Sequence, residues 1–330
     1  MTSTIRAILL GLGLVLLARF VVRLDLPGTV SAIQAARAGS LTLAILLLAA
    51  NVGIKALRWQ MMTRRMSNRP LPFAAAVAAI LAGVAAASLT PGRSVELAKP
   101  LLLRSSHGVP MATSTAGVVV ERLLDGAALS LLFVLSVVFV PATRLSVLRP
   151  VLAGIALFMV IGLTLLMLPH KLAAVTAWAT TRLRLPMQVQ ARVASIASRF
   201  AHALADWRGH KALGVLLALS VLAAFFEVLR LVAVCTSLGL PVGIAGAMLA
   251  FSAANLLAAL TFVPGGIGIT EVSLAGLLVL ATGVPPQTAV GVSVLVDRTL
   301  SYYLVVAIGA VILITAAQRT PGAGNAPAGR

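Results

Sequence analysis

Six of the eight acidic residues in this chain stand inside long apolar stretches: Glu96, Glu121, Asp125, Glu227, Glu271 and Asp297. Arginines accompany them. Arg122 stands three positions before Asp125, Arg230 three after Glu227, Arg298 directly after Asp297, and Arg93 just before Glu96, while Arg58 closes an earlier apolar run. A charge at bilayer depth costs ~2.5 kcal/mol or more on insertion scales, so such residues face a protein interior or a wet cavity. On helices, Glu121 and Asp125 share a face, Arg122 reaches Asp125, Glu227 reaches Arg230, and Tyr302 lies one turn beyond Arg298. Two chemistries suit the set. In one, arginine forks bind an anionic headgroup bidentately while one or more carboxylates exchange a proton or cation. In the other, the same charges form static ion pairs that lock the protein together.

The elements that must position these groups follow from composition. Apolar residues make up 60% of the chain and charged residues 10%, against roughly half and a quarter in soluble domains, so the surrounding solvent is mostly lipid. The expected fold is an all-α polytopic membrane protein. Full spans are expected near residues 5–22, 41–59, 113–139, 151–168, 212–236 and 290–316, each near the ~17 to 25 residues a transmembrane helix needs. The first could be read as a signal peptide, but Arg19 and Arg23 follow it without a small-x-small cleavage site, which favours a retained span.

Two further stretches, 73–103 and 244–282, are interrupted by Pro91-Gly92 and by Pro264-Gly265-Gly266, with Gly268 following the second break. Proline and glycine end a helix at such points, and broken backbone survives in lipid only where protein or a water-filled cavity surrounds it. Each stretch reads as a re-entrant membrane hairpin, with the helix N-termini after the breaks aimed at the polar centre or capped by Glu96 and Glu271.

The two halves repeat these marks in order. Arg58 precedes Pro91-Gly92 by 33 positions and Arg230 precedes Pro264-Gly265 by 34. Glu96 precedes Glu121-Arg122 by 25 positions and Glu271 precedes Asp297-Arg298 by 26, and Leu71-Pro72 and Leu240-Pro241 open the two hairpins. An internal duplication is the reading, with repeat one at about 41–139 and repeat two at about 212–316. Arg64, Arg65 and Arg69 follow the second span, Lys and Arg are dense in 169–211, and 237–290 has none. The positive-inside rule then places both termini in the cytoplasm and the two hairpins on opposite faces. The copies are expected to be inverted, with a site at their interface.

Residues 1–318 are expected to form one membrane domain and 319–330 a disordered tail rich in Gly, Pro and Ala. Within 169–211, Val189, Val193, Ile196, Phe200, Leu204 and Trp207 recur at helical spacing opposite Arg192, Ser195, Arg199 and His202. That helix lies either on the cytoplasmic membrane surface or against the protein's own loops. The net charge of +18 sits mainly between apolar stretches, including Arg93, Lys99 and Arg104 beside hairpin one, and fits anionic lipid rather than nucleic acid. The single cysteine, Cys235, rules out a disulfide framework. His107, His170, His202 and His210 lack metal-ligand spacing, so neither metal nor cofactor is expected, and no nucleophile-base constellation points to an enzyme.

Together, Leu57-Arg58-Trp59, Pro91-Gly92-Arg93 with Glu96, Glu121-Arg122 with Asp125, Pro264-Gly265-Gly266-Ile267-Gly268 with Glu271, and Asp297-Arg298 resemble the lysylphosphatidylglycerol synthase transmembrane-region family, also called flippase-like domain proteins. Val95 stands where that family often has glycine. In larger relatives the region is coupled to a cytosolic aminoacyl-transferase domain and moves modified phospholipid between leaflets. The resemblance implies a short form that handles lipids, hopanoids or lipid-linked sugars. The leading expectation is a bacterial cytoplasmic-membrane lipid translocator. The alternatives are a non-transporting membrane partner of a lipid or glycan biosynthetic enzyme and an intramembrane lipid-modifying enzyme.

Overall fold

The computed structural model describes residues 3–22, 24, 26–67, 70–88, 98–139, 153–154, 157, 169–184, 186–205, 211–261, 263–283 and 290–319. Pro91, Gly92, Arg93, Glu96, Trp207, most of the expected 151–168 span and nearly all of the 319–330 tail lie outside them. Among the described residues every regular element is helical. Four helical segments are long and apolar enough to cross a membrane: Ala38–Arg65, Ala212–Ser237, Pro264–Ala281 and Gly291–Ala316. The chain is an all-α polytopic membrane protein.

The first half begins with α1 (Ser3–Val22), a short α2 (Leu26–Gln34) that sequence periodicity had not separated, and a 30-residue α3 (Ala38–Ser67). Next come α4 (Phe73–Ser88), α5 (Ala98–His107) and α6 (Met111–Val137). The basic segment forms two helices rather than one, α7 (Pro169–Arg182) and α8 (Met187–Ala205), which pack on each other. The second half holds α9 (Lys211–Ser237), α10 (Ile244–Leu260), a 3₁₀ turn at Pro264–Gly266 and α11 (Ile269–Thr282). Then α12 (Gly291–Arg298) runs through a π turn (Thr299–Tyr303) into α13 (Leu304–Arg319).

Packing follows from which faces are small. Both α4 and α10 are built largely of alanine, and Ala76, Ala79, Ala82 and Ala85 on one and Ala247, Ala250, Ala253 and Ala254 on the other are buried. In lipid there is no hydrophobic drive between helices, so close approach of small residues supplies the contact. Accordingly α4 packs against α13, and α10 packs against α6, while α3 and α9 make the most extensive contact in the molecule. Each half thus sets its Ala-rich limb against the last helix of the other half.

Several apolar clusters result, and two of them bear on the site. One gathers Phe133, Val228, Leu231, Leu249, Leu278 and Val294 from α6, α9, α10, α11 and α12. The other gathers Trp59, Ile80, Leu103 and Val118 from α3, α4, α5 and α6. Large apolar side chains such as Leu46, Val134, Val311 and Ile314 are exposed, as expected of faces solvated by hydrocarbon. The second break forms as expected. Gly265, Gly266 and Gly268 all hold positive φ, a region L side chains avoid and glycine enters freely. On either side of this break, α10 and α11 pack along each other. The first helix seats on this turn: a Cβ on Gly13 would lie 2.7 Å from the Ile267 carbonyl oxygen. α1 is therefore part of the packed structure.

Candidate functional site

Every described acid of the expected set meets a cation, mostly from another helix. On α3, the buried guanidinium of Arg58 donates Nη2 to Glu121 Oε1 at 2.8 Å and Nη1 to Asp125 and to the Ser220 hydroxyl. Lys99 of α5 donates Nζ to the other Glu121 oxygen at 2.7 Å and sits over the Trp59 ring at 5.3 Å. One carboxylate of α6 therefore ties α3 to α5. A Cβ on Gly83 would stand 2.6 Å from Lys99 Cε, so the missing side chain in α4 is the passage for the lysine stem.

The second half builds a matching set. Arg230 of α9 grips Asp297 bidentately, Nε to Oδ1 at 2.9 Å and Nη2 to Oδ2 at 3.2 Å. This planar fork matches the carboxylate, a fit lysine does not offer. Glu271 is fully buried; it accepts from the Gly268 N–H at 2.7 Å, Arg298 Nε at 2.8 Å and the Tyr303 hydroxyl at 3.1 Å. The N-terminus of α11 is thus capped by its own glutamate rather than offered to the cavity. Arg298 lies 4.3 Å above the Tyr302 ring, with Nη2 3.5 Å from the Gly265 carbonyl oxygen.

Where the halves meet, Lys55 donates to Glu227 at 2.7 Å and Asn51 donates to the Ala223 carbonyl oxygen at 2.8 Å. Each of these pairs spans 172 positions. Arg58 to Asp125 and Arg230 to Asp297 each span 67. Around these contacts lies a cavity of about 190 Å³ lined from both halves, with Lys55, Lys99, Glu121, Arg122, Asp125, Glu227, Arg230, Asp297, Arg298 and Tyr302 on its wall. Arg58 and Glu271 stand behind it as partners of wall residues.

Several pairings differ from helix spacing. Glu227 turns to Lys55 and Arg230 to Asp297, instead of to each other. Arg122 does pair with Asp125, at 3.9 Å, and Asp125 also accepts a hydrogen bond from Arg58 across the helix interface. By contact, Asp297 matches Asp125 rather than Glu121, since both aspartates bond an arginine 67 positions earlier. Lys99, expected as a cytoplasmic surface charge, is 2% exposed and ion-paired. Lys55 and Ser220 were missed altogether. Lys55 stands three before Arg58 as Glu227 stands three before Arg230, a spacing that could have pointed to it.

The lysylphosphatidylglycerol synthase TM-region model matches residues 5–309. The chain belongs to that family. A UPF0104 membrane protein of Methanothermobacter thermautotrophicus (strain Delta H) is 26% identical over 288 residues, covering 82% of this chain and 81% of its own. Family membership covers all the motifs quoted above, and the matched region holds every residue of the cavity wall.

Proposed function

We propose that this family member is a lipid translocator, moving an anionic phospholipid or a lipid-linked polyprenyl, hopanoid or glycolipid molecule across a bacterial cytoplasmic membrane. The observation that carries the reading is the cavity itself: a polar space walled by charges from both halves, inside a molecule whose outer faces are apolar. Its volume suits a headgroup, with acyl chains left in the lipid that surrounds the helices. The two halves act as inverted repeats, 41–139 and 212–316, with hairpins entering from opposite faces and both termini cytoplasmic. Alternating access is then an exchange between two arrangements of the repeats around a fixed headgroup site.

Arg122 is the cation best placed to meet an incoming phosphate. It stands on the cavity wall with its side chain 36% exposed. The remaining cations hold the wall in shape until the exchange occurs. The experiment is reconstitution into liposomes with labelled anionic phospholipid or polyprenyl phosphate in both leaflets and an impermeant quencher outside. Loss of label beyond the outer-leaflet half supports the reading; protection of the inner half by folded protein overturns it.

One observation favours a second reading. The pairs Arg58–Glu121, Lys99–Glu121, Arg230–Asp297 and Arg298–Glu271 are closed and almost fully buried, as in a static lock. On that reading the protein is a rigid membrane partner of a lipid or glycan biosynthetic enzyme. Alanine at Arg122 separates the two, since a scaffold that accumulates normally keeps its cellular role and a translocator does not.

A further inference from the structure

Outside the central cavity the chain has a second concentration of cations. Residues 169–205 carry five Lys or Arg and no Asp or Glu. The fold makes of them a helical hairpin, α7 and α8, whose limbs are held differently. α8 is attached to the bundle, packing on α6 with Ala201 buried, and α7 is held by α8. α8 ends at Ala205, and α9, long and apolar enough to cross a membrane, begins at Lys211. The hairpin is therefore tethered where a spanning helix enters the bilayer.

Along α7, Lys171, Val175, Trp178 and Arg182 follow one another at steps of four, three and four, which puts them on one helix face, and all four are exposed. Trp178 is 68% exposed. The exposure continues at the turn, where Leu183 and Met187 are 70% and 86% exposed and Arg184, with a left-handed φ of 52°, is exposed between them. Neither water nor hydrocarbon alone suits such a surface. Open tryptophan, leucine and methionine are disfavoured in water, and open cations are disfavoured in hydrocarbon. The boundary between headgroups and acyl chains satisfies both, because tryptophan fits there as an amphipathic ring and Lys and Arg extend their charges to phosphate.

We infer that the α7–α8 hairpin is a docking surface for the anionic lipids of the leaflet at which α9 begins. Trp178, Leu183 and Met187 seat at the headgroup boundary, and Lys171, Arg182 and Arg184 meet phosphates. Charge complementarity selects the partner: a leaflet rich in anionic lipid attracts a basic, acid-free segment beside a spanning helix. A second copy of the hairpin is disfavoured, since its cations would face the same cations with no acid between them. The tether favours lipid over a soluble acidic protein, because it holds the surface at high effective concentration against the membrane. The inference is independent of the translocator reading, as a rigid membrane partner would dock in the same way.

The test uses the full chain, one copy per nanodisc, with Met187→Cys carrying a polarity-sensitive dye; the chain's own cysteine, Cys235, is buried and stays unlabelled. Discs are made of phosphatidylcholine alone or of equal parts phosphatidylcholine and phosphatidylglycerol. Quenching by acrylamide, which is uncharged, is expected to fall about threefold in the anionic discs, with blue-shifted emission, and to return toward the phosphatidylcholine value in molar salt. The triple variant Lys171→Gln, Arg182→Gln, Arg184→Gln should erase the difference between the discs at an unchanged melting temperature, since all three side chains are exposed. A dye equally open in both discs overturns the inference and leaves the face to a soluble partner. Equal shielding in both discs, or a difference that survives in the triple variant, overturns it as well, because the contact then owes nothing to these cations. Shielding that appears only in discs holding two copies overturns it in favour of a contact between copies.

Discussion

Lys55 and Glu227, 172 positions apart in the chain, bond to each other at 2.7 Å. The offset of 172 that separates them also separates Asn51 from Ala223, likewise in contact, and Arg58 from Arg230 and Asp125 from Asp297. If the halves are copies, as the sequence predicts, residues that touch across this offset lie close to the operation relating them, as in an isologous interface. Nearby, α5 carries a cation, Lys99, to an acid on α6, whereas α11 carries an acid, Glu271, to a cation on α12. The halves thus share a framework of contacts but reverse the sign of one pair.

The Lys55–Glu227 bridge should show as coupling between the halves. Its side chains are 24% and 21% exposed, so solvent screens it and each alanine variant alone should lower stability modestly. A double-mutant cycle on Lys55→Ala and Glu227→Ala, read by thermal unfolding in nanodiscs, should give a coupling of about 0.5 to 2 kcal/mol. Exchanging the charges, Lys55→Glu with Glu227→Lys, should restore more stability than either reversal alone. Full additivity would remove the bridge as a link.

Glu271→Gln keeps an acceptor for the Gly268 N–H but removes the charge opposite Arg298. A buried cation left without its partner costs about 3 to 5 kcal/mol, so unfolding should shift far more than a cap substitution would produce. Adding Arg298→Met to that variant should recover part of the loss by removing the stranded charge. Unfolding unchanged in Glu271→Gln would show that Tyr303 and the turn, not the ion pair, hold this corner.

Gly265→Ala should abolish folded protein. Its φ of +63° is strained for alanine, and the new methyl would collide with Tyr302. Gly276→Ala is the control: nothing lies within 4 Å of the added carbon and its place is mid-helix, so stability should rise by up to about 1 kcal/mol. Yield of monodisperse protein by size exclusion separates the two outcomes.

Gly309→Ala and Gly83→Ala should differ for a reason visible in what each methyl meets. At Gly309 it meets the backbone oxygen of Leu81, which can yield only if α13 and α4 move apart. At Gly83 it meets the aliphatic stem of Lys99, which can bend. The first should cost several kcal/mol, in the range of overpacking or more, and the second about 1 to 2 kcal/mol. Equal unfolding temperatures would mean that α4 and α13 are free to separate.

The sequence by itself determined the solvent and the alphabet of the site. A chain 60% apolar with its acids gathered in apolar runs must be a helical membrane protein, because only backbone satisfied within the chain survives in hydrocarbon. The second break was equally legible, since Pro264, Gly265, Gly266 and Gly268 specify a turn through their own dihedral preferences. Helix positions of Arg230, Asp297, Glu271 and Arg298 could be read in the same way. Which charge meets which could not. Helical spacing offers only neighbours three or four positions apart; on that basis Asp125 pairs with Arg122, as it does at 3.9 Å, and Glu227 with Arg230, as it does not. The other partners come from 22 to 172 positions away, for Lys99 with Glu121 and Lys55 with Glu227. The packing of α3 on α9, and of each Ala-rich limb on the opposite half, set those distances. A carboxylate buried between helices takes the cation that packing places within reach, and a sequence records that cation only as one more lysine or arginine.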